Sequence, residues 1–435
     1  MGRPSDVVLG LEVGPWSVRG VALTLDGSEL GGASQAFRRR ASASGMIELD
    51  PVQVWQSAVE VVHGLARAVP DLARRTVALG VTGAVGGLYL IDEDGEPVHP
   101  IVAAAPDDPA RHRTQSEPRC TARLLDHVVE TGIPEIDRAA HALDLRGWLV
   151  ECLTGRPLRL PACAEPQDAT TVQDGQAWLM PSEAASDQPL GLRPAAAAAT
   201  GLWDATPVVV TPSAPVAAAL AAGVAEPGFD GGVALLETDL WVIRPAGQRD
   251  AGETAWWPGL PRLRLSEGKV GGAALDWLVE VAQNLLAEAG LIGLNAADLA
   301  GLLEQGADRP AGRRVRFGRS RAPEPGPWTV AGIGGSSGFA DIAAAIHEAI
   351  ARSCREELEA DGGVPPEVRL TGALASGPVG RSFLPRALAV PTRRLERWAP
   401  AATGAAFCAL QAIGEIDRLE QVGDRWVEPF LGPPV

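Results

Sequence analysis

Near the start of the chain, VVLGLEVGPWSVRGVALTLDG sets an acidic side chain (Glu12), a glycine (Gly14) and a hydroxyl (Ser17) around a tight turn between two apolar stretches. Those residue types at that spacing suit phosphate chemistry. A carboxylate ending a strand can hold Mg²⁺ beside a polyphosphate, and the N–H groups of a turn can donate to its oxygens. Gly14 lets the turn come close to a ligand. Pro15 removes one donor, and Trp16 adds bulk where a phosphate needs room. A plain surface hairpin without a ligand accounts for the same residues equally well.

The elements that would position this turn alternate between strand and helix. Residues 7–11 read as a buried strand and 18–25 as its hairpin partner, with Asp26-Gly27 signalling a type I′ turn. Residues 51–68 have helical spacing, with Val52, Trp55, Val59, Val62 and Leu65 as the apolar stripe. A strand at 77–81 follows, then a hairpin around Asp92 to Gly95, a helix at 143–153, a strand at 208–210 and a helix at 216–222. A second cycle starts with strands at 232–236 and 241–243 around an acidic turn, Glu237 to Asp239. Helices at 271–288 and 342–358, a strand at 367–370 running into Thr371-Gly372, and a small-residue helix at 401–413 complete it. Residues 310–327, rich in Arg, Pro and Gly, read as an exposed connector. Both halves open with strands joined by tight turns, which suggests a duplicated core with a cleft between the halves.

Composition narrows the partners. A chain of 435 residues exceeds one ordinary core, so two domains are expected. A net charge of −16 argues against nucleic acid or an anionic membrane as partner. No uncharged apolar run of membrane-spanning length and no secretory leader stands out, and a cytoplasmic protein is expected. Lys269 is the single lysine, hence the single candidate for lysine chemistry. Cys120, Cys152, Cys163, Cys354 and Cys408 have neither metal spacing nor a disulfide framework. The six histidines are scattered, and surface positions account for them more simply than catalysis does.

Taken in order, the segments resemble the FGGY carbohydrate kinases, within the actin-like and hexokinase-like ATPases. VVLGLEVGPWSVRGVALTLDG is similar to that family's opening hairpin, MIELDPVQVWQ to its acidic-proline-tryptophan stretch, and VALGVTGAVGGLYLIDEDGEPVHP to its next strand and hairpin. LVECLTGRPL and GLWDATPVVVTPSAPVAAALAAGVAEPG resemble later parts of the first domain. GKVGGAALDWL, AAAIHEAI, VRLTGALASG and PAATGAAFCAL resemble the helices, nucleotide loop and closing helix of the second. The resemblance implies an α/β fold of two actin-like/ribonuclease H-like domains with a cleft between them. Residues 1–228 would form the sugar-binding domain and 229–435 the nucleotide-binding domain.

At the site positions the chain departs from that pattern. Glu12, the implied metal ligand, stands where relatives carry aspartate, while Pro15 and Trp16 replace small hydroxyl-bearing residues. Ala214 aligns with the aspartate that in active relatives takes the proton of the acceptor hydroxyl. Alanine cannot take a proton, and such assistance is worth roughly 10² to 10⁴ in rate. Asp204, Asp230 and Asp239 are the candidate replacement bases. Ala84 replaces a glutamine and the tryptophan expected near Ala104 is absent, leaving Asp107, Asp108 and Arg111 as implied substrate contacts. The implied phosphate and nucleotide contacts are Gly14, Ser17, Thr238, Thr371, Gly372 and Ser376, with Ala373 and Leu374 in place of central glycines. Glu237 and Asp239 put carboxylates where phosphate oxygens are expected, and a bridging Mg²⁺ would reverse that repulsion.

Three functions are compatible with this pattern. The first is a catalytically impaired relative acting as pseudokinase, sensor or scaffold, with a retained sugar or polyol ligand or a protein partner; oligomers are compatible with it. The second is an active kinase using ATP and Mg²⁺, a replacement base, and a sugar, polyol or related acceptor. The third is a different metal-dependent enzyme on the same scaffold, with Glu12, Glu237 and Asp239 at its metal.

Overall fold

Seven consecutive buried residues form β1 (Val7–Val13), the pattern of a strand covered on both faces. It is the centre of the first of two units in a computed structural model. The structure describes residues 5–41, 47–84, 86–104, 124–125, 128, 134–158, 188–247, 254–255, 257–288, 301–304, 315–319, 328–360 and 363–435. β1 pairs antiparallel with β2 (Ser17–Thr24), which pairs antiparallel with β3 (Glu29–Ala36). Between β2 and β3, Gly27 has a φ of +83° and Asp26 is not among the residues with positive φ. A type I′ turn needs both positive, so the expected turn is corrected to a longer loop whose register shifts between Ala22 and Leu23. Gly27 is required there because the Trp426 ring lies against it.

The next helix, α1 (Pro51–Ala68), starts where the Asp50 carboxylate accepts the N–H of Val52, with Pro51 in the first turn. It buries Val54, Ala58, Val61, Val62 and Leu65, whereas Val52 is 56 % exposed. The apolar stripe is therefore rotated from the expected one. β4 (Thr76–Gly83) then pairs parallel with β1. α2 (Leu145–Thr154) is capped by Asp144 at its start and by Gly155, in the left-handed region, at its end. β5 (Leu190–Gly191) and β6 (Pro207–Val210) complete a sheet of order β5-β6-β4-β1-β2-β3, with β6 parallel to β4. α3 (Ala214–Ala221) follows β6.

The second unit repeats the opening of the first. β7 (Gly232–Leu236) pairs antiparallel with β8 (Leu240–Pro245) and parallel with β9 (Val368–Thr371), which pairs parallel with β10 (Thr392–Arg394). α4 (Ala273–Glu288) and α5 (Phe339–Glu359) supply apolar faces to this core. The exposed connector expected at 310–327 is overturned where it is described. Arg316–Arg319 pairs antiparallel with Trp328–Ala331, and Phe317 is buried between Trp277 and Trp328.

After the second sheet the chain returns to the first unit with α6 (Pro400–Ala412). The first unit comprises 1–229, 246–264 and 399–429, and the second 230–245, 265–398 and 430–435. The expected boundary at 228/229 falls one residue from the first crossing. The closing helix nonetheless belongs to the first unit, because α6 packs on β1, β4 and α3. A Cβ on Gly10 would lie 1.8 Å from the carbonyl oxygen of Ala402, and one on Gly80 2.1 Å from that of Ala405. Among the described residues no helix is long and apolar enough to cross a membrane.

His347 departs from the surface position expected of it. It is buried on α5, its ring tilted against that of Phe383, with its Nε2 beside the Leu303 carbonyl. Burial pushes its pKa below the ordinary 6.5, partly opposed by that carbonyl. The unfolded chain therefore takes up the proton first as pH falls, and the stabilisation present above pH ~6.5 is lost below it, by at most about 1.4 kcal/mol per pH unit. A His347→Gln variant should lose less stability than wild type between pH 7.5 and 5.5 in denaturant titrations; equal losses would assign the dependence to other groups. A Gly10→Ala change should cost about 2 kcal/mol or more by overpacking backbone on backbone. Gly191→Ala on β5, where nothing lies within 4 Å, is the control and should stay within about 0.5 kcal/mol of wild type by the same titration.

Candidate functional site

In the first unit β1, β4 and β6 run parallel, so their C-terminal ends share one edge of the sheet, where ligands of open α/β sheets bind. The β1–β2 register sets Glu12 opposite Arg19, and the guanidinium donates to the Glu12 carboxylate at 2.9 Å. Glu12 is 5 % exposed. Its charge is thus balanced by a cation of the same hairpin, which reduces its fitness to hold Mg²⁺. Arg19 was not foreseen, although pairing inward from Val13 and Val18 leads to it.

The turn itself offers few donors. The Gly14 N–H donates to the Ser17 carbonyl at 2.9 Å, and Pro15 has no N–H. Trp16 is 38 % exposed at the tip, and the Arg39 guanidinium lies 3.5 Å from its ring centroid. Ser17 is half-buried in β2. On the neighbouring strand the Ala84 N–H donates to the Val13 carbonyl at 2.9 Å. As arranged, Glu12 Oε1 is paired with Arg19 and the Gly14 N–H is bonded within the turn.

Ala214, 7 % exposed, opens α3 just beyond β6. The approach to it is buried and internally bonded. The Thr211 hydroxyl donates to the Val81 carbonyl at 2.8 Å, and the Thr82 hydroxyl to the Pro212 carbonyl at 2.6 Å. Arg146, 1 % exposed, donates to the Thr211 carbonyl at 3.0 Å and pairs with Asp144 at 3.4 Å. Asp144 also accepts the Gly147 N–H at 2.5 Å. An arginine stays protonated and cannot serve as a base. No sequence signal pointed to Arg146, since a single arginine opening a helix reads as surface. Asp204 is exposed and precedes β6, whereas Ala214 follows it, so the strand separates the two. Asp107, Asp108 and Arg111 lie outside the described residues.

In the second unit Asp230 is exposed before β7 and Asp239 is exposed in the turn after it, so the two stand at opposite ends of that strand. The Glu237 N–H donates to the Asp239 carbonyl at 3.1 Å. The Gly272 and Ala273 N–H groups donate to the carbonyls of Glu237 and Thr238 at 2.9 and 2.8 Å. Gly372, φ +93°, follows β9 so closely that a Cβ would lie 2.6 Å from the Leu236 carbonyl oxygen. The next N–H, that of Ala373, donates to the Glu237 carboxylate at 3.2 Å. The structure thus brings Thr238 and Gly372 to the same end of the second sheet. Thr371 is buried, its hydroxyl without a hydrogen-bond partner among the described residues, and Ser376 is exposed. Lys269 forms a surface pair with Glu356 at 3.0 Å. Among the described residues no three His, Cys, Asp or Glu side chains gather to hold a metal ion.

No family model matches the chain. It is similar to the erythritol kinase of Brucella abortus (strain 2308), 26 % identical over 483 residues covering 99 % of this chain and 92 % of the relative. The crystal structure of ligand-bound xylulose kinase from Lactobacillus acidophilus superposes with a TM-score of 0.75 at 15 % identity, covering 98 % of this chain and 92 % of that one. Xylulose kinase from Rhodospirillum rubrum gives 0.68 at 20 % identity, covering 99 % and 94 %. With its repeated strand order, the chain has the two-unit α/β fold of these carbohydrate kinase structures.

Proposed function

We propose that this chain is a catalytically impaired FGGY-like protein, a pseudokinase serving as sensor or scaffold. Residues 1–228 would carry the sugar or polyol side and 229–435 the nucleotide side. The observation that carries this reading is Ala214 at the start of α3, approached by Thr211, Pro212 and Ser213, with a guanidinium rather than a carboxylate hydrogen-bonded to that approach. General-base assistance worth roughly 10² to 10⁴ in rate is absent at that position. The Glu12–Arg19 pair and the self-bonded Gly14 turn support the same reading from the phosphate side.

A second reading, an active polyol kinase with a replacement base, draws support from the similarity to erythritol kinase over nearly the whole chain. Of its candidate bases, Asp239 is exposed in the turn that follows β7.

The two readings separate in a coupled assay of ADP release from ATP and Mg²⁺, with erythritol, xylulose or no acceptor. Wild type should show no acceptor-dependent release, against about 1 to 100 s⁻¹ for a working kinase. Turnover in that range, lost on Asp239→Asn, would establish the second reading instead. A carboxylate in the first turn of α3 is favoured by the helix dipole, so Ala214→Asp should fold. Because the phosphate side is altered too, that variant alone should still show no acceptor-dependent release; release about 10²-fold or more above the assay background would mean that the missing base is the decisive loss.

A further inference from the structure

The loop after β9 already holds an anion of its own. The Glu237 carboxylate accepts the Ala373 N–H, and that this N–H takes a carboxylate identifies the position as one that accepts negative charge. Glu237 is fixed there by its own backbone, since its N–H is bonded to Asp239 and its carbonyl to Gly272. Gly372 presses the loop onto the end of β7, so the N–H cannot turn elsewhere without breaking that contact.

We propose that Glu237 is a built-in anion that determines ligand choice at the Gly372–Ala373 loop, excluding the phosphates of a nucleotide while leaving an uncharged nucleoside unaffected. This rests on the reading of 371–376 as the nucleotide side of an impaired kinase. An incoming phosphate must displace the carboxylate from the Ala373 N–H and then sit beside the like charge of Glu237. A neutral adenosine meets neither obstacle. Glu237 is therefore a specificity determinant of the binding site and has no part in a chemical step.

The test is calorimetric titration of the full chain with ADP and with adenosine, in EDTA and again with Mg²⁺. Glu237→Gln keeps the size and the acceptor oxygen and removes the charge; Glu237→Ala also removes the acceptor. Affinity for ADP in EDTA should rise about tenfold or more from wild type to the Gln variant and further to the Ala variant, with adenosine affinity the same in all three. Equal ADP affinity in wild type and both variants overturns the proposal. So does tighter Mg²⁺–ADP binding by wild type than by Glu237→Gln, which would make Glu237 a metal ligand. Binding of neither ligand by any variant also overturns it, while leaving the absence of acceptor-dependent turnover standing on its own assay. Conversely, turnover by wild type would remove the impaired-kinase reading without altering the ADP and adenosine comparison.

Discussion

Direct contact of backbone on backbone between α6 and the strands β1 and β4 is the constraint on which the first unit depends. It requires hydrogen at the α-carbons of Gly10 and Gly80 and is permitted by the run of small residues in α6. The same helix meets α3 equally closely, since a Cβ on Gly404 would lie 1.8 Å from the Ala217 carbonyl oxygen. Position 214 is therefore set by a helix nearly two hundred residues further along the chain. Interiors packed to this density do not slide, so α3 holds Ala214 in one place.

At both strand ends several backbone donors have partners within the chain. Gly14 donates to Ser17, Ala84 to Val13, and Thr211 to Val81; in the second unit Gly272, Ala273 and Ala373 donate to Glu237, Thr238 and the Glu237 side chain. A binding loop for phosphate needs N–H groups held in place without partners of their own, at a positive potential. Here the partners are internal, and one of them is charged. The elements that would present a ligand site are intact in outline and occupied in detail.

Much of the frame was legible from residue pattern. Apolar runs marked β1, β4, β7 and β9, and helical spacing over 51–68 marked α1, because these are local effects of burial and backbone conformation. Reading failed where the deciding partner was distant in sequence. The stripe of α1 was misjudged by including Val52 because burial depends on what covers the helix. Besides its left-handed backbone, Gly27 has the distant Trp426 ring against it, which no local pattern shows. The stretch at 315–319 looked like an exposed connector because its strand partner, Trp328–Ala331, lies beyond a segment rich in proline and glycine.

The amino-acid sequence by itself determined the α/β character, the duplicated strand-turn-strand openings and the absence of an acidic side chain at 214, since each is a property of residue type and order. Only the tertiary structure decided that Glu12 faces Arg19, that Arg146 is buried against the approach to Ala214, that α6 belongs with the first sheet, and that Glu237 reaches Ala373. Those outcomes depend on register and on contacts across long stretches of chain, where the energy of a charge or a hydrogen bond is set by its surroundings rather than by its identity.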